Sequence, residues 1–193
     1  MIQLGEKKLI LASKSPRRYE LLKGLVLDFE VRAKDTPEDF PEDMPVEQVA
    51  SFLSGKKAKA FAREISDNEI VLTSDTVVIL DGQILGKPSN KEEAEGMLRG
   101  LSGKEHQVIT GITLYSKSKT VTRQDLAKVT FKVLSEQEID YYIDNFLPFD
   151  KAGAYGIQEW IGYIGVQKME GSFYSVMGLP VHLVYEELSL WDV

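Results

Sequence analysis

Residues 69–80, EIVLTSDTVVIL, constrain this chain more than any other stretch. Val, Ile, Leu and Thr dominate, so the segment reads as a β-strand, and it is apolar at odd and even positions alike. Such a strand needs cover on both faces, which only an interior position in a sheet provides. Asp81-Gly82 follows at once and turns the chain into a hairpin whose return is QILGKP. One residue breaks the pattern. Asp75 lies in the middle of the strand, where an unpaired ionised carboxylate would cost several kcal/mol, so it needs a partner or a task.

Around this strand the chain reads as a mixed α/β domain with long strands and hairpins, not a simple β/α alternation. Leu9 to Ala12 is a short strand. SPRRYELLKG then reads as a helix with Ser15 as N-cap, Pro16 as its first residue and Gly24 at its end. Leu27 to Arg32 is a strand, and AKDTPEDFPEDMP is an acidic loop broken by prolines. From Val46 to about Ile65 the positions Val46, Val49, Ala50, Leu53, Ala60 and Phe61 recur at helical spacing. Ser89 or Asn90 caps a helix reaching about Leu101, and HQVITGITLYS and TVTRQDLAKVTFKVL are two long strands. Ser135 begins a helix that puts Ile139, Tyr142, Ile143 and Phe146 on one face before Pro148 breaks it. A Gly- and aromatic-rich stretch leads to a closing helix from about Pro180 to Leu190. No repeat or linker interrupts residues 1–193, so one compact domain is expected.

Composition narrows the chemistry. A net charge of −7 argues against a surface that coats nucleic acid. Zero cysteines remove disulfides, thiol nucleophiles and thiolate zinc sites, and two histidines, His106 and His182, make an imidazole metal site a poor expectation. No apolar run is long enough to span a membrane and no signal pattern opens the chain, so a cytoplasmic protein is expected, with no membrane or nucleic-acid partner.

Four features could carry chemistry. In SKSPRR, two hydroxyls and two guanidiniums gather at a helix N-terminus, where unpaired N–H groups point outward and cations are disfavoured unless something negative joins them. An anion such as phosphate fits that description, although an Arg pair on a solvated helix has the same sequence. Lys57 falls in the middle of the apolar stripe of its helix, with Lys56 on the flank and Lys59 on the far side. An inward ammonium calls for an anion, unless its stem snorkels to water. Asp75 could meet a metal ion, a water to be activated, Lys57 or Lys87; a strand-end Asp capping a turn is the plainer alternative. Lys87 in ILGKPS lacks the spacing and the final Ser or Thr of a P-loop. In the acidic loop, Asp35, Glu38, Asp39, Glu42 and Asp43 could each hold a hard cation, while most must be solvated charge. His106, near a strand start, reads as structural.

LASKSPRR, LSGKKAKA, SDTVV, ILGKP, LSGKEHQVITG, DKAGAYGIQ and SFYSVMGLP, in that order, resemble the Maf family of nucleotide pyrophosphatases over nearly the whole chain. DKAGAYGIQ resembles the branch that hydrolyses dTTP and UTP. The resemblance implies a mixed elongated sheet flanked by helices, in two lobes with a central cleft, similar to the inosine triphosphate pyrophosphatases, and often a homodimer. It implies Asp75 as proton acceptor, with Lys57 and Lys87 as catalytic cations. Ser13, Arg17, Arg18, Thr76 and Gln158 would bind substrate, with Arg17, Thr76 and Gln158 influencing the choice of base. Glu38 and Asp75 would hold Mg²⁺ or Mn²⁺. Two positions depart from the family's usual form: Pro37 before Glu38, and Ser74 before Asp75.

The expected reaction is water attack on the α-phosphorus of dTTP or UTP, giving the monophosphate and pyrophosphate. Two rivals carry different expectations. A nucleotide-binding regulator of cell division would bind without turnover, and the inward Asp beside inward lysines speaks against it, since a carboxylate repels a triphosphate unless metal or water intervenes. A pyrophosphatase for modified purine nucleotides would share the chemistry. Gln158 separates that case, because its amide both donates and accepts and so matches the imide edge of uracil or thymine.

Overall fold

The computed structural model describes Ile2 and residues 4–191. The chain runs β1 (Lys8–Leu11), α1 (Pro16–Lys23), β2 (Phe29–Val31), α2 (Val49–Lys59), β3 (Glu69–Leu80), β4 (Gln83–Leu85), α3 (Lys91–Leu101), β5 (Glu105–Tyr115), β6 (Thr120–Phe131), α4 (Glu136–Phe146), α5 (Trp160–Gly165), β7 (Val166–Glu170), α6 (Phe173–Met177) and α7 (Val181–Ser189). It is a mixed α/β protein. Among the described residues the strands form a seven-stranded sheet in the order β2-β1-β3-β5-β6-β7, with β4 paired to β3. β1 lies parallel to β2 and β3, while β3 with β4 and β6 with β7 are antiparallel.

β3 is the interior strand its sequence demands: apart from half-buried Thr76, every one of its residues is buried. Asp81 (φ 50°) and Gly82 (φ 77°) both adopt left-handed backbone, which gives the hairpin its tight turn. The helix expected to reach Ile65 stops at Lys59. Beyond it the chain winds into tighter turns, with Phe61 N–H on Ala58 O at 3.0 Å, and these deliver Phe61 and Ile65 into a cluster with Ile10 and Val71. Burial of those side chains outweighs one more regular helical turn.

The chain divides into two compact units. The first comprises residues up to Asp75, Thr110–Asp125 and Gly178 onwards; its core joins Leu9, Leu11, Ile70 and Leu72 to Ile112, Leu114 and the inner face of α7. The second comprises Thr76–Ile109 and Leu126–Met177, with a core built on Val78, Leu98, Phe131, Tyr142 and Ile161. α4 opens with a reciprocal cap in which Ser135 and Glu138 each accept the other's backbone N–H.

α5, β7 and α6 have no counterpart in the periodicity of the sequence. Glycines at 162, 165 and 171 blur it. Gly171 (φ 103°) allows an approach so close that a Cβ there would stand 2.9 Å from the Ala127 backbone.

Candidate active site

In the first unit, packing of α2 on the sheet aims the side chains. Gly111 of β5 lies under α2, and a Cβ at that position would come within 2.6 Å of the Ala50 backbone. Polar bonds fix the register of this contact. Thr73 donates its hydroxyl to Ser54 O at 2.7 Å, Ser54 and Thr113 share a hydrogen bond of 2.9 Å, and Thr113 and Thr122 share another of 2.9 Å.

Residues two apart on a strand share a face, and residues three apart on a helix share a side. Once Thr73 meets Ser54, Asp75 therefore meets Lys57. Lys57 Nζ donates to Asp75 Oδ1 and, at 2.8 Å, to Glu38 Oε1. Asp75 is buried, and the Lys57 side chain is 18% exposed. Lys56, one residue earlier, turns to Asp39 at 2.6 Å, and Lys59 faces solvent.

The other face of β3 carries Ser74. Its hydroxyl donates to Gly178 O at 2.8 Å, and Arg18 Nε donates to the same carbonyl at 2.8 Å. The departure at Ser74 is thus a buried hydroxyl with a defined partner. The SFYSVMGLP segment, which entered the sequence reading only through the family resemblance, supplies the carbonyl on which β3 and α1 converge.

Ser15 is the N-cap of α1 and Pro16 its first residue, while buried Ser13 accepts the Ser15 N–H at 3.1 Å. No acidic side chain occupies the first turn of α1. Arg18 is balanced from elsewhere: burial pulls its guanidinium below the usual arginine range, Arg17 adds to that pull, and Asp75 and Glu38 oppose it. The negative charge facing Arg18 is supplied by the same two carboxylates that hold Lys57.

Of the five acids in the loop, structure singles out Glu38 as the one brought to Asp75. Asp35 pairs with Lys14 at 2.6 Å, and the ion pair with Lys56 holds Asp39 below the usual carboxylate range. Glu38 and Asp75 meeting on one ammonium mark a point where positive charge is favoured. Two hard oxygen ligands suit Mg²⁺ or Mn²⁺ when phosphate oxygens and water complete the set. Among the described residues no group of three or more His, Asp or Glu forms a ready-made metal cage.

The second unit holds Thr76, Lys87 and Gln158. Lys87 is exposed, and Gly86, just before it, accepts the Gly153 N–H at 3.0 Å, so the ILGKP loop is tied to the DKAGAYG loop. Gln158 lies in a turn closed by Glu159 N–H on Gly156 O at 3.0 Å. His106 has a structural setting: Nε2 shares a 2.8 Å hydrogen bond with the Tyr155 hydroxyl, and burial pushes the imidazole down to about 4. A network of Lys151, Glu159 and Tyr142 lies beside Gln158, and the sequence pattern does not announce it. A lysine and a glutamate bracketing seven uncharged residues, AGAYGIQ, were its only signal.

The family model described as Maf-like protein matches residues 8–191. The chain belongs to the Maf family. Among curated Maf relatives, the dTTP/UTP pyrophosphatase of Porphyromonas gingivalis is 52% identical over 188 residues, covering 96% of this chain and 94% of that protein. The dTTP/UTP pyrophosphatases of Bacteroides thetaiotaomicron and Flavobacterium johnsoniae are each 48% identical, covering 96% and 97% of this chain and 96% of their own length.

Proposed function

We propose that this Maf protein hydrolyses dTTP and UTP to the nucleoside monophosphate and pyrophosphate. The observation that carries the reading is the meeting of Asp75 and Glu38 on Lys57, with Arg18 in the same field. Relatives of 48–52% identity over nearly the whole chain, named for that activity, support the choice of substrate.

In this reading a water oxygen attacks the α-phosphorus, the bond from the α-phosphorus to the bridging oxygen breaks, and the electron pair leaves with pyrophosphate. Asp75 accepts the proton of the attacking water. Lys57 moves from its carboxylates towards phosphate oxygens when substrate arrives, which frees Asp75 to act as base. Arg17, Arg18, Lys57 and Lys87 stabilise negative charge on the leaving pyrophosphate, and Ser13 and Thr76 hydrogen-bond the substrate. Gln158 reads the imide edge of the pyrimidine. Glu38 and Asp75 would hold Mg²⁺ or Mn²⁺, which would supply charge neutralisation at the phosphates when bound. The same reading has the protein acting in the cytoplasm, where its substrates are made, as a homodimer, with neither nucleic acid nor membrane as partner.

A panel of nucleoside triphosphates, assayed for pyrophosphate and orthophosphate with and without Mg²⁺ or Mn²⁺, tests this. The expected result is metal-dependent release of pyrophosphate, greatest with dTTP and UTP. Release of orthophosphate alone would overturn it, and binding without turnover would favour a regulatory role. Sedimentation of the same preparation tests the dimer.

A further inference from the structure

The turn that carries Gln158 is held by side chains that the reaction does not use. Gly153 (φ 68°) and Ala154 (φ 59°) lie side by side in left-handed backbone. That conformation suits glycine, but for alanine it costs about 1–2 kcal/mol and persists only when the surroundings impose it. The surroundings here are specific. A Cβ on Gly153 would stand 3.0 Å from Val78 Cγ1, and the Gly153 N–H is committed to Gly86 O.

Two residues later, Gly156 N–H donates to the Tyr142 hydroxyl at 3.0 Å, and that hydroxyl donates to Glu159 Oε2. The other oxygen of Glu159 takes Lys151 Nζ at 3.2 Å, and Lys151 also reaches Asp150 at 2.7 Å. Glu159 thus fixes both ends of its own turn: its backbone N–H holds Gly156 O, and its carboxylate holds Gly156 N–H through Tyr142. Gln158 lies between. A Cβ on Gly156 would stand 2.8 Å from Glu159 Cδ and 3.0 Å from Gln158 Nε2, so amide and carboxylate both lie against the bare glycine.

Tyr142 is fully buried and the Lys151 side chain is 8% exposed, in a core that also contains Ile139, Ile143, Ala154 and Tyr155. Removing an ammonium and a carboxylate from water costs more than such a pair usually returns in stability, so the network needs another reason to exist. Base reading supplies one. A carboxamide that can turn over offers donor and acceptor in either order, and so matches the imide edge of uracil or the amino edge of cytosine equally well. It tells one from the other only if it is held in one orientation.

We propose that Tyr142, Glu159 and Lys151 are positioning residues that lock the Gln158 turn, so that its amide accepts uracil and thymine and rejects cytosine. The inference rests on the reading of Gln158 as the residue that meets the base. The same loop, through Gly153 on Gly86, steadies the segment that carries Lys87.

The test compares kcat/KM for UTP and CTP in the full-length protein, with Tyr142→Phe, Gly156→Ala, Gln158→Ala and the Tyr142→Phe/Gln158→Ala double variant. Tyr142→Phe deletes the link while keeping the ring, and Gly156→Ala crowds both the Gln158 amide and the Glu159 carboxylate without removing any hydrogen-bonding group. Each should lower the UTP-to-CTP ratio about tenfold while the UTP rate at saturation falls much less, because recognition loosens and not the reacting groups. The double variant should discriminate no worse than Gln158→Ala alone, the non-additivity expected of residues acting through one another. Hydrogen exchange at the Gly156 amide should quicken in Tyr142→Phe. If Gln158→Ala loses discrimination while Tyr142→Phe and Gly156→Ala both melt normally and keep it, the positioning role is overturned and Gln158 stands. If Gln158→Ala itself keeps full discrimination, the reading of Gln158 fails and takes this inference with it.

Discussion

Two lysines in this molecule do the same thing in different ways. In the first unit Lys57 bridges Glu38 and Asp75; in the second Lys151 bridges Asp150 and Glu159. The groups around Lys57 come from three separated places: a proline-broken loop, a helix and the middle of a strand. Those around Lys151 come from one stretch of ten residues, and one of its carboxylates is further tied through Tyr142 to the backbone. An ammonium held only by charged side chains, 18% exposed, can change partners when a polyphosphate arrives. An ammonium 8% exposed, with its carboxylate bonded into the main chain, cannot move without disturbing the loop. The first arrangement suits chemistry and the second suits geometry.

Substituting Asp75 by Asn should give the largest effect. Turnover should fall by about 10²-fold or more, typical of lost acid–base catalysis, while nucleotide binding holds or tightens because a charge facing phosphate is gone. Rate and affinity measured on one preparation decide it; a rate within about threefold of the parent would make Asp75 a structural residue.

Lys151→Met should act on stability first. Removing one partner of a buried pair leaves Glu159 without its cation, and a loss of about 3 kcal/mol in denaturant unfolding is expected. A variant as stable as the parent would show that the two lysines do not differ as described.

Acid should sharpen the difference between the two units. His106, in the second unit, titrates at about 4 instead of 6.5 because it is buried. The unfolded chain therefore takes up a proton that the folded chain refuses. The contribution to stability is complete above pH 6.5 and declines as pH falls through about 4, with a full span of roughly 3 kcal/mol. His106→Phe should flatten that limb of the unfolding profile. An unchanged limb in that variant would remove burial of His106 as the cause.

The smallest and most discriminating comparison lies within α2. Lys57→Ala should lower kcat/KM about tenfold, while Lys56→Ala and Lys59→Ala should stay within about 0.5 kcal/mol of the parent in stability, with unchanged activity. Three equal and mild effects would show that the charge facing phosphate comes from Arg17, Arg18 and Lys87.

Much of the site was legible along the chain because it rests on local rules. Asp75 is conspicuous as a charge in a strand apolar on both faces, and Lys57 as a charge on an apolar stripe. Ser15, Pro16 and the two arginines announce a helix N-terminus. Glu38 was not legible on the same grounds. It is one of five acids in a loop without periodicity, and only the path of that loop past α2 distinguishes it. The network of Tyr142, Lys151 and Glu159 was hidden for a related reason: its members lie on a helix, a glycine-rich loop and the start of another helix, and glycine carries little pattern.

The sequence alone determined that β3 is interior, that Asp81-Gly82 turns it into a hairpin, that α1 and α4 begin where Ser15 and Ser135 cap them, and that α3 begins at Ser89 or Asn90, of which the structure takes Asn90. The turn and the caps are hydrogen bonds that neighbours in the chain satisfy by themselves, and the interior place of β3 is written in its own composition, apolar on both faces. Tertiary structure decided that α2 ends at Lys59, that Gly178 gathers Ser74 and Arg18, and that Lys57 and Lys151 each meet their carboxylates. Apart from the Lys151 pair, which is local in the chain and set in the second core, each of those depends on contact between distant segments, and its energy exists only after packing has removed the water that would otherwise solvate the polar groups.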